Sequence, residues 1–213
     1  MPVYEEEVLS NYEIGFKSQF FNRMLTLNGA VFHSIVDGMR DSFIDLTTGS
    51  RVITNIDRVR INGAELEARL VPTSGLTLYT NLGLTDPEID KYSLNPSFEG
   101  NVVSRGYKLT VNGGFDYSMA VGANTSLFLR ADAQHYGKKY WYIDNLDVQE
   151  AKTYVNGSFG AEWGDLTLTF WGKNITGERA YETVFPRQAT GFRFDIGFPN
   201  KAQSYGVELS TRF

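Results

Sequence analysis

Ser204-Tyr-Gly-Val-Glu-Leu-Ser-Thr-Arg-Phe213 alternates without a break. Tyr205, Val207, Leu209, Thr211 and Phe213 fall on one face. Gly206, Glu208, Ser210 and Arg212 fall on the other. A period of two is the signature of a β-strand, not of a helix. The polar face carries Glu208 and Arg212, which a packed apolar core would reject. A strand with hydrocarbon on one side and a wet lumen on the other accepts both faces.

The same pattern recurs upstream. Tyr12, Ile14 and Phe16 alternate with Glu13, Gly15 and Lys17. Leu25, Leu27, Gly29 and Val31 alternate with Thr26, Asn28 and Ala30, although Phe32 interrupts the polar face. Further strands are expected at Ala64–Leu70, Leu76–Leu84, Tyr107–Tyr117, Leu127–Ala133, Val155–Trp163 and Leu166–Phe170. With the last segment this makes nine strands. Short turns follow Phe20, Val71, Met119 and Trp163. Long connections centre near Gly49, Ser93, Tyr142 and Arg187, spanning about 86–104, 137–150 and 177–203 in the last three cases. A meander with its short turns at one end and long loops at the other is the layout of an outer-membrane barrel.

Composition agrees. The 213 residues include 12 Tyr, 15 Phe and 21 Gly, which suits strands and crowded turns. Net charge is −5 with scattered basic residues, so no nucleic-acid footprint is expected. Cysteine is absent, which removes disulfides, thiolate metal sites and Cys nucleophiles. A mean hydropathy of −0.27 and no apolar run near 20 residues exclude a spanning helix, but not spanning strands. Met1-Pro-Val-Tyr-Glu-Glu-Glu7 is not a secretory signal, so the true N-terminus is expected to lie further upstream.

Periodicity alone does not exclude a soluble β-sandwich, which alternates too. Three features favour the membrane. The strands are long, the turn lengths segregate by end, and aromatics (Tyr12, Tyr107, Tyr117, Trp163, Tyr205, Phe213) gather at strand ends as interfacial girdles do.

Several segments resemble the C-terminal half of TonB-dependent outer-membrane receptors. Asn11-Tyr-Glu-Ile-Gly-Phe-Lys17 is similar to one barrel strand of that family, and Leu25–Phe32 to the next. Asn62-Gly-Ala-Glu-Leu-Glu67, Pro72 and Gly75-Leu-Thr-Leu78 resemble a following hairpin. Gly172-Lys-Asn-Ile-Thr-Gly-Glu-Arg-Ala-Tyr181 and Tyr205–Phe213 resemble the closing segments. Each motif is degenerate, but five in family order are fairly specific.

The resemblance implies an all-β, antiparallel transmembrane β-barrel of about 22 strands, of which this chain would supply nine or ten consecutive ones. Nine strands in 213 residues is about 24 residues per strand, so a complete wall needs roughly 500 residues. Residues 1–213 are therefore expected to be the C-terminal part of the barrel, without plug domain or signal peptide. Gly191-Phe-Arg-Phe-Asp195 is a candidate tenth strand.

The candidate binding residues lie in the long loops. Lys138, Lys139, Tyr140, Trp141 and Tyr142 could stack on a catecholate, haem or sugar. Arg187 and Arg193 could meet an anionic ligand or lipopolysaccharide. Glu65, Glu67 and Arg69 read as a lumen charge ladder or a plug contact, and His135 as a girdle residue. Asp86, Glu88 and Asp90 lack the spacing of a calcium loop. No catalytic arrangement and no cofactor is expected. By resemblance, Tyr205, Gly206, Val207, Leu209 and Phe213 form the assembly signal read by the barrel insertion machinery.

The expected function is TonB-dependent uptake of a bulky nutrient, a ferric siderophore above all, at the bacterial outer membrane. The expected partners are outer-membrane lipid and lipopolysaccharide, the siderophore, the plug, the TonB complex and the insertion machinery. A small complete barrel acting as pore or adhesin, and a soluble all-β binding domain, remain as alternatives.

Overall fold

The computed structural model describes residues 6–45, 48, 50–185, 187 and 193–212. Nine strands form one antiparallel sheet. They are β1 (Val8–Phe20), β2 (Leu25–Asp45), β3 (Ser50–Thr73), β4 (Leu76–Lys91), β5 (Leu109–Gly122), β6 (Thr125–Tyr136), β9 (Lys152–Trp163), β10 (Leu166–Lys173) and β13 (Ser204–Thr211). Each pairs with the one before and after it in that order, so the sheet is a plain meander. Two small hairpins stand apart from it in the long loops: β7 (Lys139–Tyr140) with β8 (Val148–Gln149), and β11 (Tyr181–Phe185) with β12 (Ile196–Pro199).

The register sorts the side chains by row. Phe20, Leu25, Leu70, Leu78, Phe115 and Ala131 lie side by side across six strands. On the opposite face, Lys17, Asn28, Glu67, Asn81, Asn112, Gln134 and Tyr154 form an equally continuous polar row. Within that row Asn28 Nδ2 donates to Glu67 Oε2 at 3.2 Å, and Asn81 Nδ2 donates to Asn112 Oδ1 at 2.8 Å. Such cross-strand pairs each contribute about 0.2–1 kcal/mol. The expected ladder Glu65–Glu67–Arg69 therefore lies on the polar face. On the apolar face, away from the sheet edges, Val31 is 53% exposed and Phe159 57%. A sheet presenting such a surface to water would aggregate, whereas hydrocarbon covers it at no cost.

The apolar face ends sharply toward the long loops. Ile14, Val31, Ala64 and Leu84 make its last apolar row across β1–β4. The next is Tyr12, His33, Asn62 and Asp86, and charge follows: Arg60 pairs with Glu88 at 3.0 Å and Arg58 with Asp37 at 2.8 Å. Tyr12 stacks on His33 at the changeover, where an amphipathic ring belongs.

Phe32, the residue that interrupts the polar pattern of β2, has a geometric explanation. It sits directly opposite Gly63, and a Cβ built there would lie 2.1 Å from the phenyl ring. Trp171 covers Gly206, and Phe128 covers Gly160, in the same way. Each glycine removes the side chain that would otherwise stand where the ring lies.

β2 and β3 run well past the membrane band. Along this extension the alternation breaks. Strict alternation would place Val36 and Met39, and likewise Ile56 and Val59, on opposite faces, yet all four join one apolar cluster with Ile89, Tyr92 and Val103. Gly38, at φ +70°, marks the break, and Asn55 Nδ2 donates to its carbonyl at 2.6 Å. Phe98 and Ile143, from two different loops, complete the cluster.

Four expectations need correction. The loop expected at 86–104 begins later, because β4 continues to Lys91 and Glu88 bridges to Val102. The 177–203 loop carries its own hairpin. The candidate tenth strand does not join the sheet: Arg193 and Phe194 form a bend, β12 pairs only with β11, and residues 191–192 lie outside the described residues. Tyr107 is not a girdle residue. A bend at Lys108 precedes β5, and the Tyr107 ring packs on Tyr136, a polar-face residue, at 5.0 Å.

Candidate ligand-facing loops

The loop after β6 follows a clamped path. Arg105 N–H donates to Tyr140 O at 2.7 Å, Asn101 Nδ2 to Ile143 O at 2.8 Å, and Asn145 Nδ2 to Val102 O at 2.8 Å. The segments around 101–105 and 140–145 are thus one body, seated on the apolar cluster through Ile143 and Val103. Sequence periodicity contains no signal for these links, since they are made by loop backbone and amide side chains.

Lys139 and Trp141 face into this body. Each is buried, and the Lys139 ammonium lies 4.1 Å from the Trp141 ring and 5.0 Å from Tyr107. Lys152, also buried, lies among Tyr107, Tyr136 and Tyr154 at 5.4–5.8 Å. Among the described residues neither lysine forms an ion pair. Aromatic faces, and for Lys152 also hydrogen bonds to the Tyr107 and Tyr154 phenols, supply the compensation that a carboxylate would otherwise give. Lys138, by contrast, is exposed, with its ammonium 5.9 Å from the Tyr140 ring.

Tyr142 borders a cavity of about 340 Å³ between this loop and the β2–β3 extension. Arg40, Asp41, Ser42, Arg51 and Arg105 share it. Arg51 donates to Ser42 Oγ at 2.9 and 3.1 Å. Burial lifts the Asp41 carboxyl above its ordinary range, opposed by the Ser42 N–H and the Arg105 charge. Burial likewise raises the Tyr142 phenol, opposed by the charge and hydrogen bond of Arg105. Arg51 and Arg105 were not singled out in the sequence, because each stands alone in a polar stretch. The fold brings them together.

Arg187 and Arg193 are exposed in the third loop. Arg187 N–H donates to Asp195 Oδ1 at 2.8 Å, and its charge reaches Asp147 of the second loop. Arg193 is not brought to Lys138 or Tyr142. Asp86, Glu88 and Asp90 are taken up in ion pairs with Lys108 and Arg60. Among the described residues no cluster of three or more metal-ligating side chains occurs. His135 Nδ1 and Thr153 Oγ1 are 2.9 Å apart on the outward face. In β13, Tyr205, Gly206, Val207 and Leu209 pair with Gly172, Trp171, Phe170 and Leu168. Phe213 lies outside the described residues.

The family model described as TonB dependent receptor-like, beta-barrel, matches residues 2–175. The chain belongs to the TonB-dependent receptor β-barrel family. Barrels of this family are outer-membrane proteins, which agrees with the apolar face and its charged boundary. Among solved structures, the ferric yersiniabactin uptake receptor FyuA from Yersinia pestis superposes with a TM-score of 0.78 at 17% identity, over 95% of this chain and 29% of that one. The siderophore receptor PiuA from Acinetobacter baumannii gives 0.73 at 17% identity, over 94% and 28%. The copper transporter OprC gives 0.72 at 14% identity, over 99% and 32%. This chain thus spans less than a third of the length of these barrel proteins.

Proposed function

We propose that residues 1–213 form the C-terminal part of the wall of a TonB-dependent uptake receptor whose cargo is a ferric siderophore. The wall contributes a polar lumen lining and the outer loops, and no bond-breaking chemistry. A complete barrel of about 22 strands would enclose a plug domain, and the inner-membrane TonB complex would supply the energy. The observation that carries the reading is the cavity lined by Arg51, Arg105 and Tyr142. Guanidinium forks and a phenol suit an anionic, oxygen-rich cargo. Arg187 and Arg193 add two exposed basic groups on the third loop. Because OprC shares the fold, the cargo argument rests on these loop residues and not on the barrel.

The test is growth of a strain lacking the full-length gene under iron limitation, fed one ferric siderophore at a time. Loss of growth on one siderophore, restored by the native gene and not by an Arg51→Gln/Arg105→Gln double variant, supports the reading. Undiminished growth on every siderophore supplied, with loss of copper uptake instead, overturns it. The terminal strand is proposed as the assembly signal. Phe213→Asp should lower outer-membrane levels of the full-length protein, and normal levels would count against that role.

A further inference from the structure

The outward face of the sheet is not uniformly filled. Ala131, Gly157 and Gly172 lie side by side on β6, β9 and β10, so three neighbouring rungs carry nothing larger than a methyl group. Tyr205 ends the row on β13, and its ring lies over Gly172, where a Cβ would come within 2.9 Å of it, so the open floor is at Ala131 and Gly157. In the adjacent row toward the short turns, Phe159 and Phe170 stack at 5.1 Å and 14°. At the other side Ile175 leans over Gly172, close enough that a Cβ there would lie 2.7 Å from Ile175 Cγ2. Together these enclose an open depression of about 690 Å³. That is within the roughly 300–1,000 Å³ typical of small-molecule pockets.

We propose that this depression seats one acyl chain of an outer-leaflet lipid. Four observations select that occupant. The floor offers no polar side chain, because Arg130, Asn156, Ser158 and Trp171 project to the opposite face by alternation. The depression is continuous with the apolar band that this family presents to the bilayer, so a chain enters it without leaving hydrocarbon. Gly172 and Tyr205 are each one residue from the long-loop end of their strands, which places the depression in the outer half of the membrane. Tyr205 stands at the rim, on the outward face, where its phenol can meet a headgroup while its ring borders the chain.

The test uses the full-length protein in vesicles of phosphatidylethanolamine carrying a diazirine on one acyl chain. After photolysis, label should concentrate on the peptides containing Phe159, Phe170 and Ile175, above the outward residues Leu27 and Ala68 of β2 and β3. Ala131→Leu with Gly157→Leu fills the floor. A Cβ at Gly157 meets only ordinary contact, 3.4 Å from Arg130 O, so the sheet tolerates it. In that variant labelling at the three peptides should fall about tenfold, the effect of losing roughly two buried methylenes. Ala131→Leu alone serves as the milder second variant should the double variant insert poorly. Even labelling over the whole outward face, unchanged labelling in a filled variant that inserts normally, or protein–protein adducts in place of lipid adducts would each overturn the proposal.

Discussion

Asn145 and Val102 grip each other as two paired strand residues would. The Asn145 side-chain amide donates to Val102 O and accepts from Val102 N–H, both at 2.8 Å. Asn145 does this from φ 57°, a region that asparagine tolerates better than most residues. Asn145→Ala removes both bonds and adds backbone strain, so the outer loops should loosen by about 1–3 kcal/mol. Hydrogen exchange of residues 100–105 and 140–146 should rise together. Faster exchange in one segment alone would show that the two loops are not one body.

The cavity beside Tyr142 should respond to pH. Asp41 has its pKa raised above 3.8, by burial first, against the Ser42 N–H and Arg105. A carboxyl raised on folding contributes stability that is full below its unfolded pKa and lost as pH rises through the folded one. Asp147 runs the same way, raised by burial and then by Asp144 and Asp195 against Arg187. Asp57, lowered chiefly by the Ser93 N–H, has the opposite sign, with its contribution lost as pH falls. Exchange at residues 39–42 and 146–148, corrected for intrinsic rate, should therefore quicken as pH rises above about 4. Asp41→Asn should flatten the first profile, and protection that grows with pH there would refute the assignment.

The apolar cluster outside the membrane band anchors both loops. Ile56 and Ile89 are fully buried. Ile56→Ala should cost about 2–5 kcal/mol of local stability. Limited proteolysis should then cut within 92–105 first, with the membrane-spanning strands still protected. Cleavage no faster than in the native protein would mean that the cluster does not hold the loops.

Phe32 and Gly63 should be energetically coupled. Gly63→Ala forces the phenyl ring to move and should destabilise by about 1–3 kcal/mol, whereas the same change after Phe32→Ala should cost much less. A double-mutant cycle on urea unfolding in detergent checks this, and strict additivity would contradict it.

The wall was legible in the sequence because period-two alternation survives in nearly every spanning segment, from Ile14 to Leu209. Where it failed, a local geometric event was responsible. Phe32 broke the pattern because its partner is a glycine thirty-one positions on. Tyr107 was assigned to the wrong face because the chain bends at Lys108. The outer surface was far less legible. Lys139 and Trp141 share a run with Lys138 and Tyr142, and only the folded loop shows that the first two point inward. Arg51 and Arg105 stand 54 positions apart and line one cavity, from β3 and from the loop after β4, which no spacing rule anticipates.

The long β2–β3 hairpin passes from one environment to another. Up to the row of Ile14, Val31, Ala64 and Leu84, β2 and β3 carry the rungs of a wall in lipid. Above it, the same two strands serve as the floor of a small water-exposed domain with its own interior. One continuous hairpin therefore answers to two solvents, hydrocarbon along its lower rungs and water around its upper ones. Substitutions on the far side act on the apolar cluster and the loops it anchors, and those below act on the lipid-facing wall.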